Sequence, residues 1–407
     1  MSSVNKKILK LFLPIMFLIF VSVSTANSVR VKANDNNKNF YISRGEFANI
    51  LVNLAFPNWD GQKGGDNFFT DLDEPSLNKD SILFLYKKGI LRGYPDKTAK
   101  SNKPITYFEA FALISRTLGV VDISDNDNNG HWASTYFNVL KEEGFLKKGF
   151  NEYENKIITR REAEELLNKI FSNQGDAQDL VIDLIKSKNM LKSYGRKDIY
   201  RVVLEKDGQA YVSIVEIYTK FLKEIFHQMI SMKSFDTEDF SEIEIYADKN
   251  YNYLNVVNSK NKDNCQKWVR IKSTFTNSIN FPMFIEHFDY SKCLFRLEKE
   301  DSQEGLTKLI YYVTDSSNQD IKTILEKIGV VSQNINQQDI NFTVEKIRGE
   351  VYIDKTGKIL KEAYELKIYI NPLNRITLNG LSEYFEIGED GEFEIPEEVR
   401  NAPLVDI

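Results

Sequence analysis

Ile42-Ser43-Arg44-Gly45-Glu46, Ile105-Thr106-Tyr107-Phe108-Glu109 and Ile158-Thr159-Arg160-Arg161-Glu162 are three copies of one pattern. Ser or Thr followed three residues later by Glu is a capping box, in which the hydroxyl and the carboxylate each take up a backbone N–H that the helix cannot satisfy internally. The isoleucine before each cap can staple onto the residue after the Glu, which is Phe47, Ala110 or Ala163. Apolar pairs then recur at one offset, Ile50-Leu51, Leu113-Ile114 and Leu166-Leu167, and mark the buried faces of three helices. On this reading Ser43, Glu46, Thr106, Glu109, Thr159 and Glu162 are helix caps rather than acid–base groups.

A second element repeats between these helix starts. Phe84-Leu85 leads to Gly89-Ile90-Leu91-Arg92-Gly93-Tyr94-Pro95-Asp96, and Val139-Leu140 leads to Gly144-Phe145-Leu146-Lys147-Lys148-Gly149. Each is an amphipathic helix stopped by a glycine, which enters the left-handed conformation at C′ without steric cost. Phe69-Thr70-Asp71 and His131-Trp132-Ala133 introduce the two units.

These residues together resemble S-layer homology (SLH) repeats over about residues 38–172, in units of 38–60, 68–119 and 130–172. The family pattern runs from F-x-D and a W-A helix through G-I-x-x-G and a Y-x-D turn to I-T-R-A-E. The first copy has only its capped helix, the second has Tyr107-Phe108 where the family has Arg-Ala, and the third spaces its glycines by five instead of four. The resemblance implies an all-α three-repeat bundle that binds secondary cell-wall polymer, often pyruvylated, and holds exported proteins on the cell wall of Gram-positive-type bacteria. An arginine at the first helical position lies beside unsatisfied N–H groups and the positive end of the helix dipole, and its planar guanidinium can take a carboxylate bidentately. Arg44 and Arg160 are therefore the leading polymer-binding candidates, with Trp132, Gly89, Gly93 and Gly144. The competing reading of the arginines is a helix-start residue paired with neighbouring acids, and that of Trp132 is a core or groove-wall side chain.

Working outward, Lys6, Lys7 and Lys10 precede the apolar run Leu11 to Val23, and Ser24, Thr25 and Ala26 follow. This is the layout of a secretory signal over residues 1–26. Its three lysines take the formal charge from −6 to about −9 when they leave. An acidic chain has no general attraction to nucleic acid or anionic lipid, so an anionic partner must be caught locally. Three His and two Cys argue against a tetrahedral zinc site, and neither a metal nor a cofactor is expected. Cys265 and Cys293 are a disulfide pair or two free thiols.

After Ser172 the pattern changes. Residues 173–200 read as a helical linker, with Leu180, Ile182, Leu184 and Ile185 apolar. Val212 to Ile230, with Ile214, Ile217, Tyr218, Phe221, Ile225 and Met229, reads as one long amphipathic helix. Beyond Glu242 the period is two: Ile243 and Ile245; Val269, Ile271 and Phe275; Tyr364, Leu366, Ile368 and Ile370. Val351 to Asp354 and Lys355-Thr356-Gly357 make a hairpin, and Asp320 to Ile328 is a helix stopped by Gly329. The expected fold is thus multidomain α+β, with residues 201–407 forming a curved antiparallel sheet. By layout more than motif, residues 200–403 resemble the open-sheet lipoprotein carriers (LolA/LprG-like), through Tyr384-Phe385, Ile395-Pro396 and Ala402-Pro403. That resemblance implies a concave face holding lipid or peptide; a filled core is the alternative.

Catalysis has little support. Neither G-x-S-x-G nor H-E-x-x-H is present, and His227 and His287 lack a paired nucleophile. The functional expectation is a cell-surface protein anchored by its repeats and displaying a binding or carrier domain. A purely structural envelope protein and a wall polysaccharide hydrolase are the alternatives.

Overall fold

Three backbone hydrogen bonds tie the N-terminal helices together in a closed cycle. The Ile105 N–H donates to the Ile42 carbonyl (3.1 Å), Ile158 N–H to Ile105 (3.1 Å) and Ile42 N–H to Ile158 (3.4 Å). The computed structural model describes residues 40–59, 61, 67–72, 77–120, 131–189, 193–206, 208–222, 225–234, 240–258, 268–272, 283–299, 305–316, 318–327, 343–371, 374–385 and 394–405. The signal-like segment 1–26 lies outside them. No described helix is long and apolar enough to cross a membrane.

Around this cycle stand α1 (Arg44–Ala55), α2 (Leu77–Lys87), α3 (Tyr107–Thr117), α4 (Ser134–Glu142) and α5 (Arg160–Phe171). The three isoleucines are fully buried with Phe47, Leu51, Phe111, Ile114, Leu167 and Phe171, so the edges of the cycle and the apolar faces of α1, α3 and α5 make one core. Gly89 and Gly144 take φ of +72° just beyond α2 and α4, where a side chain would be strained.

Among the described residues the second half forms one antiparallel sheet of eleven strands: β1 (Ser193–Lys206), β2 (Gln209–Leu222), β3 (Ile225–Ser234), β4 (Phe240–Ala247), β5 (Tyr251–Asn258), β6 (Val269–Lys272), β7 (Cys293–Lys299), β8 (Thr307–Val313), β9 (Thr343–Ile353), β10 (Ile359–Asn371) and β11 (Asn374–Phe385). The spatial order is β6-β5-β4-β3-β2-β1-β11-β10-β9-β8-β7, so two meanders meet at the long β1–β11 pair. One face is covered by α6 (Gln174–Asn189), α7 (Asn318–Lys327) and a 3-10 turn at Phe284–His287. The last helix, α8 (Glu397–Arg400), and the tail after it lie against β6, where the Val405 N–H donates to the Arg270 carbonyl (2.9 Å).

Several expectations change. The single helix expected over Val212–Ile230 is the β2–β3 hairpin, with Leu222 opposite Ile225. Its apolar residues belong to both faces of two strands, and their summed spacing imitates a helical period. Val212, Ile214, Val215, Ile217 and Thr219 are β-branched, which favours a pleated strand. The helix expected within 173–200 is α6, but it packs on the sheet instead of linking two domains: it buries Ala177, Val181 and Leu184, and β1 begins at Ser193, ahead of the expected boundary at 201. The Ile395-Pro396 run leads into α8, with Pro396 at its N-cap. Nor do the two halves stand apart. Residues 41–407 form one compact unit, and Leu294, Ile310 and Tyr312 of the sheet are buried in the same core as the helices. Phe275, Gly329 and Cys265 lie outside the described residues; Cys293 is a buried free thiol whose pKa burial pushes up to about 12.

The cycle has a direct test in stability. Truncating a fully buried isoleucine removes apolar contacts and leaves a cavity, so Ile105→Ala should cost about 2–5 kcal/mol in chemical denaturation. Ile157→Ala, at a position 36% exposed, should cost less than about 1 kcal/mol.

Candidate functional site

The cycle brings the N-termini of α1, α3 and α5 together. All three capping boxes are formed: the Ser43, Thr106 and Thr159 hydroxyls accept from the N–H groups of Glu46, Glu109 and Glu162, and each carboxylate accepts from its own cap residue's N–H through Oε2. The remaining carboxylate oxygen is then free to meet a side chain from elsewhere in the bundle. Glu46 Oε1 pairs with Arg160, Glu109 Oε1 accepts from the Tyr94 hydroxyl (2.5 Å), and Glu162 accepts from the Tyr107 hydroxyl. The residue at the first helical position therefore sets the chemistry of each groove.

The groove around Arg44 gathers three cations, Arg44, Lys100 and Lys103, of which Lys100 also pairs with Asp96 (3.6 Å). Arg44 is buried, its Nη2 donates to the Arg92 carbonyl (2.7 Å), and its Nε has no hydrogen-bond partner among the described residues. Its guanidinium lies 5.4 Å from the centre of the Tyr94 ring. Lys100 Nζ sits 4.1 Å from the same ring, and Lys103 Nζ reaches the Tyr94 hydroxyl (3.3 Å) and Glu109 (3.4 Å). A buried guanidinium with an unpaired N–H, flanked by two lysines, is suited to an anionic group. Gly45 allows the close approach here, since a Cβ would lie 2.3 Å from the Ser101 hydroxyl.

The other candidates fall elsewhere. Arg160 is ion-paired with Glu46 and lies 3.7 Å from Glu164, so its charge is already met. Tyr107 provides no cation to the third groove. Trp132 is 47% exposed and stands edge-on to Phe108 (6.4 Å), which stacks on Phe150 (4.6 Å). Gly93 packs beneath Phe69, and Gly89 and Gly144 end helices. The sequence reading passed over Tyr94, Lys100 and Lys103 as groove residues; only the Y-x-D turn hinted at them. His227 lies on β3, 3.0 Å from Glu244 and stacked on Tyr246. On the covered face of the sheet, sequence inspection also missed a buried polar group: Arg196 pairs with Asp198 (2.6 Å), and Glu362 accepts from the Phe284 N–H (2.9 Å) and the Tyr311 hydroxyl (2.9 Å). No cluster of three or more His, Cys, Asp or Glu among the described residues could hold a metal ion.

Residues 69–111 match the family model of the S-layer homology domain. They include Tyr94, Lys100 and Lys103 and the Thr106–Glu109 cap, which is the wall facing Arg44. No curated protein matches the chain. Among solved structures, LprF from Mycobacterium bovis is 9% identical, with 55% of this chain and 98% of that chain covered and a TM-score of 0.27. A DUF1329 family protein from Desulfovibrio piger is 9% identical over 54% of this chain and 95% of that one, with a TM-score of 0.20. A putative outer membrane lipoprotein-sorting protein domain from Vibrio parahaemolyticus is 9% identical over 54% and 95%, with a TM-score of 0.21. At such scores the chemistry of the sheet has to be read from its own residues.

The three capping carboxylates give the helical region an acid limb. Burial pushes Glu109 up, but the Thr106 N–H, the Tyr94 hydroxyl and the charges of Arg44 and Lys103 outweigh it and hold the carboxyl below its ordinary range. Glu46 and Glu162 are held low in the same way, against burial, by Ser43 and Arg160 and by Thr159 and Tyr107. A carboxylate lowered in the folded state stabilises fully above its unfolded pKa of about 4.3 and loses that contribution as pH falls through the lowered value. Thermal midpoints should therefore drop below about pH 4, and Glu109→Gln should lower the midpoint at pH 7 while flattening this acid limb.

Proposed function

We propose that this is an exported cell-surface protein held non-covalently to the envelope by an acidic wall polymer bound in the grooves between its capped helices. The sheet is the part displayed. The observation that carries the reading is the Arg44 groove: the repeat matched by the S-layer homology model supplies the wall opposite a buried guanidinium whose Nε is unpaired among the described residues. A polymer carboxylate, such as that of a pyruvyl substituent, would accept from Arg44 and be flanked by Lys100 and Lys103. Its desolvation would be offset by charge-assisted hydrogen bonds, which are about twice as strong as neutral ones. The groove at Arg160 ranks second, because Glu46 competes with any incoming anion.

A carrier role for the sheet is the finer second reading. Phe284 stacks face to face on Tyr364 at 3.8 Å, and Ile321, Ile324 and Phe288 fill the same face. These contacts support a display domain with a packed core over β1 and β8–β11 ahead of a lipid carrier.

Binding of the full chain to isolated cell walls tests the anchor. Arg44→Gln should weaken it about 10- to 150-fold, the loss of one charge-assisted hydrogen bond, with Arg44→Lys recovering only part. Arg160→Gln should have a smaller effect. Walls stripped of acidic substituents should retain none of the protein. Unchanged retention of an Arg44→Gln variant with a wild-type circular dichroism spectrum would defeat the proposal.

A further inference from the structure

On the sheet face opposite α6 and α7, beside the segment 395–402 that packs on Tyr253, two rows of side chains run across the strands. Register places Tyr218, Met229, Glu244 and Asn255 in one row on β2 to β5, and Glu216, Ser231, Glu242 and Val257 in the next. Between them is a groove with a volume of about 290 Å³. Its middle is apolar and open: Met229 is 50% exposed, and Tyr218 is 37% exposed with its ring stacked on Phe385 (5.6 Å). Its β4–β5 end is made of acceptors, the Glu242 and Glu244 carboxylates and Asn255. Asn255 is only 4% exposed, lines the groove, and its Oδ1 has no hydrogen-bond partner among the described residues. A buried acceptor in that state costs free energy until a donor reaches it.

We infer that this groove binds an aliphatic cation, a lysine-type side chain of an extended peptide, with its ammonium between Glu242, Glu244 and Asn255 and its stem over Met229 and Tyr218. Charge favours a cation over a neutral or anionic ligand: of the groove's ionisable groups, Glu216 is 3.9 Å from Lys197, which leaves Glu242 and Glu244 as acidic excess. Glu244 is also 3.0 Å from His227, so Glu242 is the less engaged carboxylate. Length agrees as well, because Glu244 lies directly across from Met229 on the next strand, about 5 Å away, with Asn255 beyond it. A stem of four methylenes reaches from the apolar middle to the acceptors. The inference is independent of the wall-anchoring site, which lies on the helices.

The test uses the full chain with labelled methionine methyl groups and Nα-acetyl-lysine methylamide as probe. The Met229 methyl resonance should shift saturably, and the shift should weaken as salt is added. The isosteric Nα-acetyl-norleucine methylamide should bind more weakly. Glu242→Gln should lower affinity about two- to fivefold, as expected for a solvent-exposed charge pair. Asn255→Leu should fold at least as stably as the wild type and still lose affinity, since it removes an unsatisfied polar atom; a marked loss of stability would make Asn255 structural and overturn the inference. Equal response to the norleucine compound would reduce the groove to an apolar patch. A response to methyl glucoside in place of the lysine derivative would make it a saccharide site, and no shift with any probe would leave it no site.

Discussion

The structure of the helical half depends on a closed cycle of three backbone hydrogen bonds among Ile42, Ile105 and Ile158. Each bond uses a group from the residue just before a helix cap, and each joins segments more than fifty residues apart. Because backbone N–H and C=O groups buried away from water must be paired, three isolated helix starts could not bury their isoleucines separately. Meeting at one point solves this for all three at once. The fully buried side chains around the cycle then fix the helices by packing.

That meeting point also decides the electrostatics. The capping glutamates do two jobs, closing their own helices with one oxygen and meeting a tyrosine or arginine from outside the helix with the other. An arginine at the first helical position either spends its charge on such a carboxylate, as Arg160 does, or is held off it. Arg44 is held off because Tyr94 takes the Glu109 oxygen and the Arg92 carbonyl takes Nη2. Two arginines in the same motif position thus end in different states.

The two halves are joined by a buried charge network. Glu143, just after α4, receives Arg348 (2.8 Å), Lys346 (3.2 Å) and the Tyr312 hydroxyl (2.7 Å) from β8 and β9. Burial raises the Glu143 carboxyl, but the two cations and the hydroxyl more than compensate and hold it low. A charge so placed needs all its partners, so the network fixes how the helices sit on the sheet as well as adding energy. Close approach fixes the sheet itself: Tyr311 and Tyr364 lie across Gly349 and Gly380, where a Cβ would fall within about 2.2 Å of the ring.

Local signals determined the capped helices. Ser or Thr, three residues, then Glu is chemistry within one turn, and the glycines that stop α2 and α4 are likewise local, so both could be read from the chain alone. The strands beyond Glu242 with one wet face showed a period of two. Sequence could not tell the β2–β3 hairpin from a helix, because apolar residues on both faces of paired strands give no clean alternation; pairing with β1 and β4 made the choice. It could not show that Ser193 opens the strand where the two meanders meet, since that pairing spans almost two hundred residues. Nor could it separate Arg44 from Arg160. The motif fixes an arginine's place on its own helix, but whether its charge is spent depends on which carboxylate the folded chain brings beside it.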